Sequence, residues 1–255
     1  MSSTDYFSKR RTIRNYTDRT IPESLLKSIV ERAMRAPTCG NMQLYTIIAT
    51  QDPEKKRMLT PAHFNQPAAV GANVILTICA DYNRFSRWCR LSDAQPGFDN
   101  FLSFLSATAD AMIIAQQIAT IAETEGLGTC YLGTVTYNAA RISELLELPE
   151  LVVPVACLSL GYPADKGEET ERLPLEAVLH LEKYNNFSDE EIVALFKSKD
   201  DFPANTRYIA ENNKETLAQV FTDIRYPKEM NETFSVEFLE LLKRKGFLKD
   251  DPTGK

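Results

Sequence analysis

Histidine is nearly absent from this chain: His63 and His180 are the only two in 255 residues. So few imidazoles argue against a histidine-rich metal site, and no metal is expected. The five cysteines, Cys39, Cys79, Cys89, Cys130 and Cys157, are odd in number and form no C-x-x-C pair. That is the pattern of reduced thiols in a cytoplasmic protein rather than of a disulfide framework. Excess positive charge is missing as well. A net charge of −6 and a pI of about 5.2 argue against a nucleic-acid binder, whose phosphate contacts need a basic surface. The opening residues lack the charged start, apolar run and small-residue cleavage site of a secretory signal. The longest apolar run, 101–122, is interrupted by Asp110, Gln116 and Gln117. It therefore reads as a buried helix and not as a membrane span.

Several familiar catalytic signatures are missing too. There is no G-x-x-x-x-G-K-[ST] phosphate loop, no H-E-x-x-H and no G-x-S-x-G elbow. Gly126-Leu127-Gly128 with Gly133 has the flavour of a dinucleotide fingerprint, but it follows a helix and precedes an extended segment. The fingerprint needs strand, turn and helix N-terminus in that order, so that the helix dipole meets the pyrophosphate.

What is present begins with Ser8-Lys9-Arg10-Arg11-Thr12-Ile13-Arg14-Asn15-Tyr16, a basic stretch in an acidic chain. Arginine offers a planar fork of donors that matches phosphate. Arg10 and Arg14 share a face if a helical turn persists here. A solvated basic helix end is the plainer alternative.

Further on, Pro22 and the spacing of Leu25, Leu26, Ile29, Val30 and Ala33 predict a helix over 22–36, stopped by Pro37. Residues 36–43 are a loop of small donors and turn formers, and 45–50 a strand. Asp52-Pro53-Glu54 opens a short helix to about Leu59, and the apolar run 74–80 is a strand buried on both faces. Residues 82–98 read as irregular, a mobile lid or an insertion. A long helix over 100–125 follows, nearly apolar all round, then a helix over 139–147 capped by Asn138. A third strand spans 152–160, with Pro154 favouring its start or a sheet edge. Ser188 and Glu191 form a capping box, and a polar, helical region closes with 229–245 and a stop at Gly246.

The order of these pieces resembles the FMN-dependent nitroreductase family, in the branch of the major oxygen-insensitive NADPH nitroreductase and the flavin reductase of luminous bacteria. The resemblance runs from about residue 8 to 175. It is carried by the basic stretch, by Gly126-Leu127-Gly128 with Tyr131-Leu132-Gly133, by Leu148-Pro149, and by Leu160-Gly161-Tyr162-Pro163-Ala164-Asp165. It implies an α+β fold, a mainly antiparallel central sheet surrounded by helices, in an intertwined homodimer. Residues 1–200 would be the FMN-binding domain and 201–255 a helical extension wrapping the partner subunit.

Carried over by position, the resemblance implies that Arg10, Arg11, Thr12 and Arg14 surround the FMN phosphate and ribityl chain. Pro37, Thr38, Cys39 and Asn41 match a loop donated by the second subunit. Gln66 matches an amide at the pyrimidine edge; Leu132, Gly133 and Thr134 match the segment beside the ring; Arg172 matches a phosphate-binding arginine. Two positions depart from the pattern: Thr170 replaces a lysine, and Cys39 stands where serine is common. The plainer alternatives are a turn glycine at Gly133, a surface charge at Arg172 and a strand cap at Gln66.

The implied activity is that of an FMN-dependent NAD(P)H oxidoreductase working by ping-pong hydride transfer through flavin N5. The chemistry would be carried by FMN with NAD(P)H as co-substrate, and no side chain would be catalytic. The acceptor would be a small flat aromatic: a nitroaromatic, a quinone or a flavin. Alternatives are a specialised enzyme of the same fold, such as a dehalogenase or flavin-destroying oxygenase, and a non-enzymatic FMN carrier or sensor.

Overall fold

The apolar run starting at Val74 becomes the strand β2, Val74–Asp81, with every residue buried. In the computed structural model, which describes residues 3–249, β2 lies between β1, Tyr45–Thr50, and β4, Val152–Gly161; β4 in turn pairs with β3, Gly128–Tyr131. All three pairings are antiparallel, in the order β1-β2-β4-β3. The α+β class inferred from the resemblance is therefore the one observed.

Alternation along the strands supplies two cores. Val74, Leu76, Ile78 and Ala80 face the long helix α6, Phe101–Thr124, and the helix α2, Glu23–Ala33. Ile75 and Cys157 join a second cluster with Leu59, Ala62, Leu132 and Ile142. Covering both faces is what allows an antiparallel strand to be apolar throughout. On α6, Ile114 and Ile118 are fully buried, each contributing about 1.5–3 kcal/mol of hydrophobic stabilisation.

Pro154 is the third residue of β4, ahead of the 158–161 stretch that β3 pairs with, so it sits near the strand's start, as expected, with β2 as its ladder partner. The ladder tolerates it because the register shifts there: Ile78 pairs with Ala156, but Cys79 with Pro154, so Val155 is the extra residue of a bulge. The bulge also resets the alternation. Val153 and Val155 before it, and Ala156, Leu158 and Leu160 after it, all reach the core beneath α6.

Local signals placed most of the other elements. Asp52 accepts from the Lys55 N–H and opens α3, Pro53–Leu59; Asn100 does the same for α6 through Ser103. The short helices α1, Ser3–Lys9, and α4, Pro67–Val70, flank the basic stretch and β2 respectively. Residues 83–91 correct the expectation of an irregular segment, for they form α5, Asn83–Leu91. The Asp81 carboxylate accepts from the Asn83 and Arg84 N–H groups at its start, and Ser86 and Cys89 are buried on its inner side. Phe98 stacks on Tyr82 at 4.8 Å and meets Phe85 at 5.5 Å, fastening the far end. A helix held this way is a packed element. In α7, Ala139–Leu145, Asn138 makes no side-chain cap.

The chain forms two compact units. One runs to Glu168 and resumes at Phe234; the other is Glu169–Thr233. The second holds α8, Asp189–Asp200, with the expected Ser188–Glu191 capping box, then α9, Pro203–Glu211, and α10, Leu217–Gln219, which runs into a π turn over Val220–Arg225. The last helix, α11, is Lys228–Arg244. It ends at Gly246 in a left-handed conformation, with φ of +83°, which only glycine adopts freely. Leu241, Leu242 and Phe247 then join the main core. These units do not coincide with a division at residue 200, because the final helix returns to the first unit.

Candidate functional site

The basic stretch is extended where a helical turn was expected. Helix α1 ends at Lys9, and residues 12–17 run as a strap beside the β3–β4 end of the sheet. The Ile13 N–H donates to the Thr129 carbonyl at 3.1 Å, the Thr17 N–H donates to the Tyr162 carbonyl at 2.8 Å, and Thr12 and Tyr16 form single bridges with Glu168 and Pro163. Two glycines make this approach possible. A Cβ on Gly128 would stand 2.5 Å from Ile13, and one on Gly161 would stand 2.6 Å from Tyr16.

The four expected phosphate ligands on this strap differ in what else they touch. Arg10 donates to Glu123 Oε1 at 3.0 Å, and Glu123 also receives the Tyr6 and Thr129 hydroxyls. Burial and this carboxylate push the Tyr6 phenol up to about 12. With Glu123 only 9% exposed, Arg10 has a strong internal partner and less to give a ligand. Arg11 donates to the Gly167 carbonyl at 3.4 Å, and Thr12 Oγ1 accepts from Arg10. Arg14 is exposed, with no carboxylate paired to it among the described residues. Burial pushes the Cys130 thiol up, while Arg14 and then Arg10 pull it down, so both arginines project a positive field on the same part of β3.

The 37–44 loop is held from α6. The Cys39 and Leu44 N–H groups donate to the two oxygens of Asp110 at 2.8 and 3.1 Å, and Asp110 is fully buried. This carboxylate, which interrupts the apolar run in the sequence, anchors the loop. Between its two contacts Gly40, Asn41 and Gln43 all have φ of 55°, with right-handed Met42 among them, a conformation that asparagine and glutamine adopt at a penalty. The bond to Asp110, followed by burial, raises the Cys39 thiol. Pro37 and Asn41 are exposed, and the Thr38 hydroxyl is buried with no hydrogen-bond partner among the described residues.

A second loop, 60–66, is held from elsewhere. Its anchor is His63, fully buried, with Nδ1 3.0 Å from Thr134 Oγ1 and Nε2 3.7 Å from Cys157 Sγ on β4. Burial pushes this imidazole down to about 4, so it is neutral near pH 7. Asn138 adds a tie, its Nδ2 donating to the Ala62 carbonyl at 2.9 Å. These contacts hold the 60–63 turn, which leads into Gln66, against the turn that carries Thr134. Phe64 and Asn65 are left-handed, with φ of 53° and 50°. The half-buried Gln66 follows, its side-chain amide without a hydrogen bond among the described residues. Leu132 is buried, its N–H donating to the Cys157 carbonyl at 2.9 Å. Gly133 is exposed, its φ is not positive, and an added Cβ there would meet nothing within 4 Å. Neither backbone conformation nor packing within this chain accounts for a glycine at that position. The Thr134 hydroxyl is spent on His63.

The structure thus joins strap residues 12–14, through β3, to the 132–134 turn and Gln66. It fastens 37–41 separately, to α6 and the core beneath it. Arg172 lies in the second unit, its guanidinium donating to the Thr170 hydroxyl at 2.7 Å and the Glu171 carbonyl at 2.8 Å. Asp110, Glu123 and His63 were missed by sequence reasoning, because each meets its partners only through contacts distant in the chain or across elements.

Comparison with known proteins agrees with this architecture. The family model described as the nitroreductase family matches residues 7–96 and 102–162. FMN reductase [NAD(P)H] of Bacillus subtilis (strain 168) is 34% identical over 245 residues, covering 93% of this chain and 94% of the relative. Oxygen-insensitive NADPH nitroreductase of Salmonella typhimurium is 33% identical over 186 residues, covering 73% and 75%. A solved chain from Bacteroides fragilis NCTC 9343 superposes with a TM-score of 0.94 at 47% identity, covering 96% of this chain and all 100% of that one.

Proposed function

The chain belongs to the nitroreductase family, and from that premise we propose that it is an FMN-dependent NAD(P)H oxidoreductase acting on flat aromatic acceptors: nitroaromatics, quinones or free flavin. The B. subtilis relative, an FMN reductase [NAD(P)H], and the Salmonella NADPH nitroreductase support this activity. When bound, FMN supplies the relay of a hydride between a nicotinamide and an acceptor through its N5. The protein supplies the seat, the charge and the shielding.

The residues present suit such a group. Arg14 offers an uncommitted guanidinium for the phosphate, alongside Arg11 and Thr12, while Arg10 supports the strap through Glu123. The Gln66 amide has unspent donor and acceptor capacity for a pyrimidine edge. Gly133 leaves room for a flat ring to lie against the backbone of 132–134. That open space is the observation that carries the proposal. The positive field of Arg14 favours an electron-rich ring beside it, and no side chain is assigned as acid or base.

The second subunit enters through α6. Phe101, Leu102, Leu105, Met112 and Ile113 remain exposed on it, a larger apolar stripe than a lone surface helix ordinarily shows. A homodimer built on that stripe would bring the 37–41 loop, with the unpartnered Thr38 hydroxyl, to the partner's cofactor. Arg172 spends only its Nη1 on Thr170 and Glu171, so its Nε and Nη2 keep donor capacity for a phosphate. Five free cysteines support a cytoplasmic setting.

The test is anaerobic. Protein reconstituted with FMN is mixed with NADH or NADPH, and the flavin band at about 450 nm is followed. Bleaching, reversed by a quinone or nitroaromatic, is expected. A protein that remains colourless after FMN addition, or yellow protein that neither nucleotide bleaches, would contradict the assignment.

A further inference from the structure

His63 is buried beyond any contact with a ligand, yet its ring spans two of the loops assigned to the cofactor seat. Nδ1 meets Thr134 Oγ1 at 3.0 Å, next to the open face of Gly133, and Nε2 lies 3.7 Å from Cys157 Sγ in the central strand β4. His63 also closes the short turn Thr60–His63, directly before left-handed Phe64 and Asn65 and then Gln66. A leucine would fill similar volume, but it would leave the buried Thr134 hydroxyl unpaired and nothing polar to set one loop against the other. A neutral imidazole has one donor and one acceptor nitrogen. It can serve a hydroxyl and a thiol at once, which no carboxylate or lysine could do here without burying a charge.

We infer that His63 is a positioning residue: through Thr134 it sets the separation between the Gln66 amide and the Gly133 backbone, and so how firmly the flavin ring is seated. The ring touches neither cofactor nor substrate. It is the side-chain tie that meets β4 and the 132–134 turn at once, and Asn138 adds a second tie one turn along by donating to the Ala62 carbonyl. The inference rests on the FMN reading of the Gly133 face.

Four variants test it: His63→Asn, which keeps an amide near the Nδ1 position; His63→Leu; Thr134→Ser; and Thr134→Val. Each apoprotein is titrated with FMN by quenching of flavin fluorescence, and the visible spectrum of the bound flavin is recorded beside the melting temperature. Thr134→Val is expected to weaken FMN binding about tenfold, the equivalent of one hydrogen bond, and to shift the flavin bands. Thr134→Ser is expected to recover most of what Thr134→Val loses, and His63→Asn part of what His63→Leu loses. If His63→Leu does not fold, the near-isosteric Thr134→Val decides. Wild-type affinity and spectrum in Thr134→Val would overturn the inference while leaving the FMN assignment intact. Failure of the wild-type apoprotein to bind FMN would overturn both.

Discussion

Two loops of the candidate site hold non-glycine residues in left-handed conformations, and opposite anchors hold them. The 37–44 loop hangs from a carboxylate, Asp110, whose two oxygens accept backbone N–H groups. The 60–66 loop hangs from a neutral imidazole, His63, engaged by a hydroxyl and a thiol. Backbone donors call for an anionic acceptor, and side-chain hydroxyls and thiols for a group that can both give and take. The difference also separates two consequences of substitution. Removing the carboxylate strands buried N–H groups and strikes at stability; altering the imidazole strikes first at spacing.

The sharpest way to break the comparison is Asp110→Ala. It leaves the Cys39 and Leu44 N–H groups without their acceptor, and urea unfolding should show a loss of about 3 kcal/mol. Asp110→Asn keeps an acceptor and should lose less. A stability change near zero in Asp110→Ala would mean that the carboxylate does not hold the loop.

The imidazole predicts a pH signature instead. Its pKa is lowered from 6.5 to about 4 by burial, so between those values the unfolded chain binds a proton that the folded chain does not. The folded state is favoured most above pH 6.5 and loses stability as pH falls toward about 4, by up to about 3 kcal/mol; below that both states are protonated and the effect is spent. Thr134 and Cys157, which face the ring, bear no charge that would offset it; burial pushes the Cys157 thiol upward. Unfolding curves of the wild type and His63→Leu across this window should converge in acid. Parallel curves would contradict the burial assigned to His63.

A smaller effect separates the two arginines. Arg14→Ala should weaken FMN binding by about tenfold or more, the worth of a charged hydrogen bond. Arg10→Ala should act on stability, because Glu123 loses its cation. Equal losses of FMN affinity in the two variants would show Arg10 leaving Glu123 for the phosphate.

The same contrast explains what could be read from sequence. Strands β1 and β2, the Asp52 and Ser188 caps and the Gly246 stop were legible because each depends on residues within a few positions of one another. Helix α5 was legible in principle: Tyr82, Phe85, Ser86 and Cys89 recur at helical spacing, but Arg84, Arg87 and Arg90 masked them. The bulge at Val155, between the pairings of Ile78 and Cys79, is announced by no local rule. The anchors were illegible for a different reason. Asp110 and Cys39 are 71 residues apart, as are His63 and Thr134, and partners so distant in the chain leave no local pattern to read.

The central claim is that the open face at Gly133, with Gln66 and Arg14 contributing, seats a flavin. Titration of the Gly133→Val apoprotein with FMN tests it most directly. Because a Cβ at this position meets nothing of the chain itself, the melting temperature of that variant should equal the wild type's, while FMN affinity should fall by about tenfold or more. Unchanged FMN affinity in a correctly folded Gly133→Val protein would contradict the account.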